Sequence, residues 1–134
     1  MSDRKREVEE IRSALEQAEN ARPWLPTGAL QAMVDHETEF SPRMVEGKRR
    51  GVMLVPDDYL KKVGLSETDA LDWKQNIRAG LTLLDELQSK FDSPMLAMTA
   101  YKAGEGKVAD WQMGRQRLKR GEAEFAPAIM ARSS

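Results

Sequence analysis

Residues 27–42 read TGALQAMVDHETEFSP. Leu30, Met33, Val34 and Glu37 stand at i, i+3, i+4 and i+7 in this stretch, the spacing of one face of an α-helix. Thr27 is placed to act as N-cap, and Ser41-Pro42 stops the helix just beyond Glu37. A carboxylate in phase with three apolar side chains is expected to turn towards the interior. There it must find a partner or take up a proton. A carboxyl kept protonated near neutral pH is what a general acid requires. Most helical glutamates are solvated surface residues instead, so periodicity leaves both readings open.

On either side the chain reads as helices separated by short Pro/Gly punctuation, without a convincing alternating strand. Val8, Ile11, Leu15 and Ala18 predict a first amphipathic helix over about residues 3–20, ended by Pro23 and Pro26. A basic, irregular stretch, Glu46 to Gly51, leads into the apolar run Val52-Met53-Leu54-Val55, which suits a buried turn or an extended piece. Asp57 or Asp58 would cap a brief helix ending at Gly64, and Ser66 to Asp69 resembles a capping box. Ile77, Gly80, Leu81, Leu84, Leu87 and Phe91 form the best helical stripe in the chain. Ser93-Pro94 starts another helix, in which Ala97, Ala100 and Tyr101 share a face and which Gly104-Glu105-Gly106 stops. Val108 and Trp111 open a last helix running into the basic segment Arg115–Arg120, and from Gly121 the tail is Ala-rich and poorly patterned. Three parts are expected: an N-terminal helix and linker over 1–26, a main domain over 27–120 and a C-terminal tail over 121–134.

With 134 residues the chain is one domain by length. It is 40% hydrophobic and 32% charged, and its charges nearly cancel at −1. No general attraction to nucleic acid or anionic membrane follows from that balance. The absence of cysteine excludes a disulfide framework, a thiolate nucleophile and a cysteine-based zinc site. The single histidine, His36, excludes a multi-histidine metal cluster, and no cofactor or metal is expected. The charged start Met1-Ser2-Asp3-Arg4-Lys5-Arg6 lacks the apolar stretch of a secretory signal, and no segment approaches the roughly 20 apolar residues of a membrane span.

Several clusters invite a chemical reading. His36 neighbours Glu37, but adjacent helical residues point about 100° apart, so a rim histidine is expected rather than a dyad. Lys48-Arg49-Arg50 and the run Arg115–Arg120 are expected to be solvated charge, with an anionic ligand or partner as the lesser reading; three charges are too few to claim nucleic acid. The small-residue segment Ala100 to Gly106 lets a helix end approach something closely, or is an ordinary C-cap with a packed tyrosine.

Four separated segments, taken in order, resemble the lysozyme-like domain of lytic transglycosylases of the soluble lytic transglycosylase family. The family's Glu-Ser-x-Phe-x-Pro is similar to Glu37-Thr38-Glu39-Phe40-Ser41-Pro42, and its Gly-Leu-Met-Gln-x-x-Pro to Gly51-Val52-Met53-Leu54-Val55-Pro56. Its Asn-Ile-x-x-Gly is similar to Asn76-Ile77-Arg78-Ala79-Gly80. Its Ala-Tyr-Asn-Ala-Gly-x-Gly-x-Val-x-x-Trp is similar to residues 100–111, from Ala100-Tyr101-Lys102-Ala103-Gly104 to Trp111. The fold this implies is mainly α: a lysozyme-like single domain of six to seven helices with a cleft and little or no β-sheet.

The resemblance implies that Glu37 is the sole catalytic carboxylate of a peptidoglycan lytic transglycosylase, with glycan strands as partner. It would protonate the glycosidic oxygen between N-acetylmuramic acid and N-acetylglucosamine, then take the proton of the C6 hydroxyl as a 1,6-anhydro ring closes. Thr38, Gly51, Val52, Met53, Tyr101 and Lys102 would form the substrate-binding set, with Tyr101 close to Glu37 and Met53 and the backbone of Gly51–Val52 lining the cleft. Two departures stand out. Leu54 replaces a polar Gln and Lys102 replaces a sugar-contacting Asn, removing amide hydrogen bonds of about 0.5–1.5 kcal/mol each. Lys102 could instead meet a lactyl or peptide carboxylate. A degenerate, non-catalytic domain that binds glycan or builds a virion, and a goose-type hydrolytic lysozyme, are the competing readings. Action is expected at the bacterial cell wall or periplasm. Delivery within a phage particle, as an ejection or tail-tip component among other virion or envelope proteins, and delivery as a bacterial enzyme trimmed of its signal both fit.

Overall fold

The first helix, α1, spans Asp3–Asn20, where the apolar spacing predicts it, and turns Ile11 and Leu15 wholly inward. The computed structural model describes residues 2–133. Ser2 starts α1 by accepting the Lys5 backbone N–H at 3.2 Å. The second helix, α2, spans Ala29–Thr38. Thr27 does not cap it; Gly28 (φ 86°) stands at its N-cap, and the acceptor comes from α1. The buried Glu19 carboxylate accepts the N–H groups of Gly28 (3.0 Å) and Gln31 (2.9 Å). An anion on the free N–H groups of a helix start satisfies those donors and complements the helix dipole.

The basic stretch and the apolar run after α2 fold into a small antiparallel sheet, in the order β1 (Val45–Glu46), β2 (Arg49–Arg50), β3 (Val55–Pro56). Arg50 pairs with Val45 on one side and Val55 on the other. Strands of two residues carry no readable alternation, which is why they do not show in the sequence. The short helix α3 (Asp57–Lys62) follows directly; its acidic start and basic end suit the helix dipole, and Asp57 bonds Arg50 instead of capping. Ser66 and Asp69 do exchange the reciprocal bonds of a capping box, at 3.0 and 3.1 Å, but the box closes only a short 3₁₀ turn, Asp69–Leu71.

Asp72 caps the long α4 (Trp73–Phe91), whose inward face carries Asn76, Ile77, Gly80, Leu84 and Leu87. Ser93 caps α5 (Pro94–Ala103) through the Leu96 N–H. Gly104 (φ 105°) separates it from α6 (Glu105–Gln112). The expected continuation of that helix through Arg115–Arg120 does not occur: Gly114 takes φ 74°, and the exposed basic residues offer no apolar stripe to continue on. Nor is the segment from Gly121 unstructured. Helix α7 (Arg120–Arg132) buries Phe125, Ala126 and Ile129 against α2 and α5. Pro127 and the alanines conceal that stripe in the sequence, yet Pro127 faces outward and costs the core nothing. Seven helices and one small sheet thus enclose a single core drawn from α1 through α7, a mainly α, lysozyme-like architecture among the described residues. No helix there is long and apolar enough to cross a membrane.

Candidate active site

Glu37 sits in the last turn of α2, and its position is over-determined. The next residue, Thr38, is buried, with its hydroxyl 3.1 Å from the Val34 carbonyl and 2.8 Å from the Val52 carbonyl. That proton ties the helix end to the loop between β2 and β3. Glu39 (φ 51°) and Phe40 (φ 62°) then both adopt the left-handed conformation, at a cost of about 1–2 kcal/mol each for residues other than glycine. Burial of the Phe40 ring beneath the Arg12 guanidinium, 4.2 Å from its centroid, helps offset that strain.

The loop between β2 and β3 is held from behind by α4 and α5. Asn76 is wholly buried; its carbonyl oxygen accepts the Met53 N–H at 2.8 Å and its amide donates to the Arg50 carbonyl at 2.9 Å. Gly51 (φ 85°) is required there, because a Cβ would lie 1.9 Å from the Asn76 Nδ2. The Tyr101 hydroxyl donates to the Met53 carbonyl at 2.8 Å. Burial pushes the phenol well above its usual range, with the nearby Glu37 carboxylate adding to the effect, so Tyr101 is a neutral hydrogen-bond donor. Gly80 lets these groups meet: a Cβ there would lie 2.6 Å from the Met53 sulfur and 3.0 Å from the Tyr101 hydroxyl. Val52 and Met53 are buried, so they support the site from the core and do not form an open wall. Leu54 is buried as well.

Lys102 changes the chemistry expected of Glu37. Its ammonium donates to both carboxylate oxygens, at 3.0 and 3.1 Å. The Glu37 side chain is only 9% exposed, against 30% for Lys102. An ammonium against both oxygens is the counter-charge of an ionised carboxylate. The apolar phase of Glu37 therefore ends in a partner and not, in this arrangement, in a lone acid. The His36 Nδ1 also lies 3.4 Å from Oε1, so the expectation that these neighbours do not meet is corrected. The backbones point apart, but a carboxylate at a helix end can bend back to an imidazole. His36 keeps the rim position expected of it, 44% exposed, with its ring edge on Phe125 of α7. The face of the Phe125 ring in turn lies 5.5 Å from the Lys102 ammonium.

The family model of the transglycosylase SLT domain matches residues 14–123. The chain belongs to that family. Comparison with curated proteins and with solved structures returned no significant match. The SLT domain here departs from a solvated reading of Lys48-Arg49-Arg50. Arg49 donates to the carbonyls of Tyr101 (3.0 Å) and Lys102 (2.9 Å), satisfying the end of α5. Arg50 pairs with Asp57 at 2.6 Å and with Glu67 at 3.6 Å. Neither role is visible in a run of three basic residues. Beside Tyr101 the SLT domain opens a groove of about 430 Å³, lined by Arg49, Pro56, Tyr59, Leu83, Tyr101 and Glu105 among others. Glu37 does not line it.

Proposed function

We propose that this SLT domain is a peptidoglycan lytic transglycosylase that cleaves the β-1,4 bond between N-acetylmuramic acid and N-acetylglucosamine and leaves a 1,6-anhydro sugar. The observation that carries the reading is a nearly buried carboxylate, Glu37, held at a helix end against Lys102 inside an SLT domain. As the acid, Glu37 gives its proton to the glycosidic O4 while the C1–O4 bond breaks. As the carboxylate, it then takes the proton of the C6 hydroxyl while O6 bonds to C1. The cycle returns the proton to Glu37, so one carboxyl suffices where ordinary glycosidases need two. In the resting site that carboxyl is held by the Lys102 ammonium. The groove beside Tyr101 offers a partly apolar wall for acetamido sugars to pack on. The place of action is the bacterial cell wall.

One observation favours a second reading, a non-catalytic glycan-binding or structural domain. Both Glu37 oxygens are already engaged by the Lys102 ammonium. Mass spectrometry of purified sacculi digested with wild type and Glu37→Gln separates the two. The enzyme releases 1,6-anhydromuropeptides, and Glu37→Gln lowers release by at least about 10²-fold. Ordinary reducing ends would mean hydrolysis. Equal inertness of both proteins, with glycan binding kept, would establish the structural reading.

A further inference from the structure

The proposed reaction uses Glu37 but leaves its resting partner unexplained. Other cations around the site are committed elsewhere: Arg49 to the carbonyls ending α5, Arg50 to Asp57, Lys107 to Glu122 and Arg132 to Asp35. Among the described residues, the polar bonds of the Lys102 ammonium go to Glu37 alone. Lys102 is also the more exposed member of the pair, so an arriving ligand meets the ammonium before the carboxylate. Phe125 gives the departing ammonium an aromatic face to keep, and His36 stays within reach of Oε1 once the lysine has moved.

We propose that Lys102 is a displaceable clamp on Glu37 that makes the site selective for glycan carrying a carboxylate, and this rests on the lytic transglycosylase reading. A lactyl or peptide-stem carboxylate competes with Glu37 for the ammonium and draws it away. Glu37 is then released from the ammonium, and both its oxygens are free to face the glycosidic bond. A neutral glycan offers nothing for the ammonium, and the ion pair stays shut. Lys102 is in this sense a positioning and specificity-determining residue, acting on the reaction through Glu37.

The test compares glycan strands freed of peptide, which keep the lactyl carboxylate, with the same strands after amidation to neutral amides. For wild type, Lys102→Met and Lys102→Arg, release of the anhydro product gives kcat/KM on each strand, and calorimetry gives Kd. Wild type should favour the carboxylate strands by about tenfold or more in both measures, equivalent to about 1.4 kcal/mol. In Lys102→Met the ratio should fall to about one, and Lys102→Arg should restore much of it. Equal treatment of the two strands by wild type, or an undiminished ratio in Lys102→Met, overturns the clamp. If no protein releases anhydro product from either strand, the transglycosylase reading fails, and the calorimetric ratio alone decides whether Lys102 selects carboxylate. Should Lys102→Met not fold, Lys102→Gln takes its place in the same comparison.

Discussion

Asn76 shows how much of this site is held by a residue that touches no solvent. Its amide spans from α4 to two backbone groups of the loop between β2 and β3, and each would otherwise be buried without a partner. Asn76→Ala should therefore lower stability by on the order of 2–4 kcal/mol, read as a shifted urea midpoint with unchanged slope. Gly51→Ala should cost a comparable amount, because the new methyl group collides with that amide and occupies a positive-φ position. A sequence reading places Asn76 in a motif but gives it no partner, since its bonds reach back 23 and 26 residues. The same limit applies to Lys102, whose bond to Glu37 crosses 65 residues and depends on how α2 and α5 lie together.

At the scale of elements, helices with full apolar stripes were legible: α1, α4 and α5 lie where their spacing places them, and α5 begins at its Ser93-Pro94. What escaped was held by contacts between elements. Glu19 reads as one more surface glutamate on α1, yet it caps α2 from the neighbouring helix. Glu19→Ala should cost about 1–3 kcal/mol, measured by chemical denaturation, since two N–H groups lose a charged acceptor. Helix α7 escaped because Pro127 argues against a helix while Phe125, Ala126 and Ile129 argue quietly for one. Ile129 is wholly buried, so Ile129→Ala should destabilise the whole domain by about 2–5 kcal/mol in one cooperative transition. A separate, earlier melting of α7 would contradict that single core.

For the whole molecule, the titration of a few paired groups sets the pH range of stability. The Arg50 hydrogen bond holds Asp57 below the usual carboxylate range. Burial pushes Glu122 up, but the bonds from Lys107 and the Lys119 N–H outweigh it and bring the carboxyl down. Groups lowered by folding contribute fully above their unfolded values and lose that contribution as pH falls through the folded ones. At the other end, burial pushes the Tyr59 hydroxyl up to about 12, with Glu86 adding to it, and Tyr101 shifts the same way. The neutral phenols are favoured in the folded state, so this contribution is whole below about pH 10, the unfolded value, and declines as pH rises above it. Melting temperature against pH should show a plateau falling on both sides, with Asp57→Asn flattening the acid limb and Tyr59→Phe the alkaline one.

Helix α7 also bears on how the protein is made. Phe125, which backs both His36 and Lys102, is translated after every other group at the site. A ribosome adding about 5–20 residues per second therefore carries Glu37 and Lys102 for a second or more before Phe125 exists to wall them in. The constellation is assembled only once α7 has cleared the exit tunnel, and a nascent chain shorter than that holds its parts but not its arrangement.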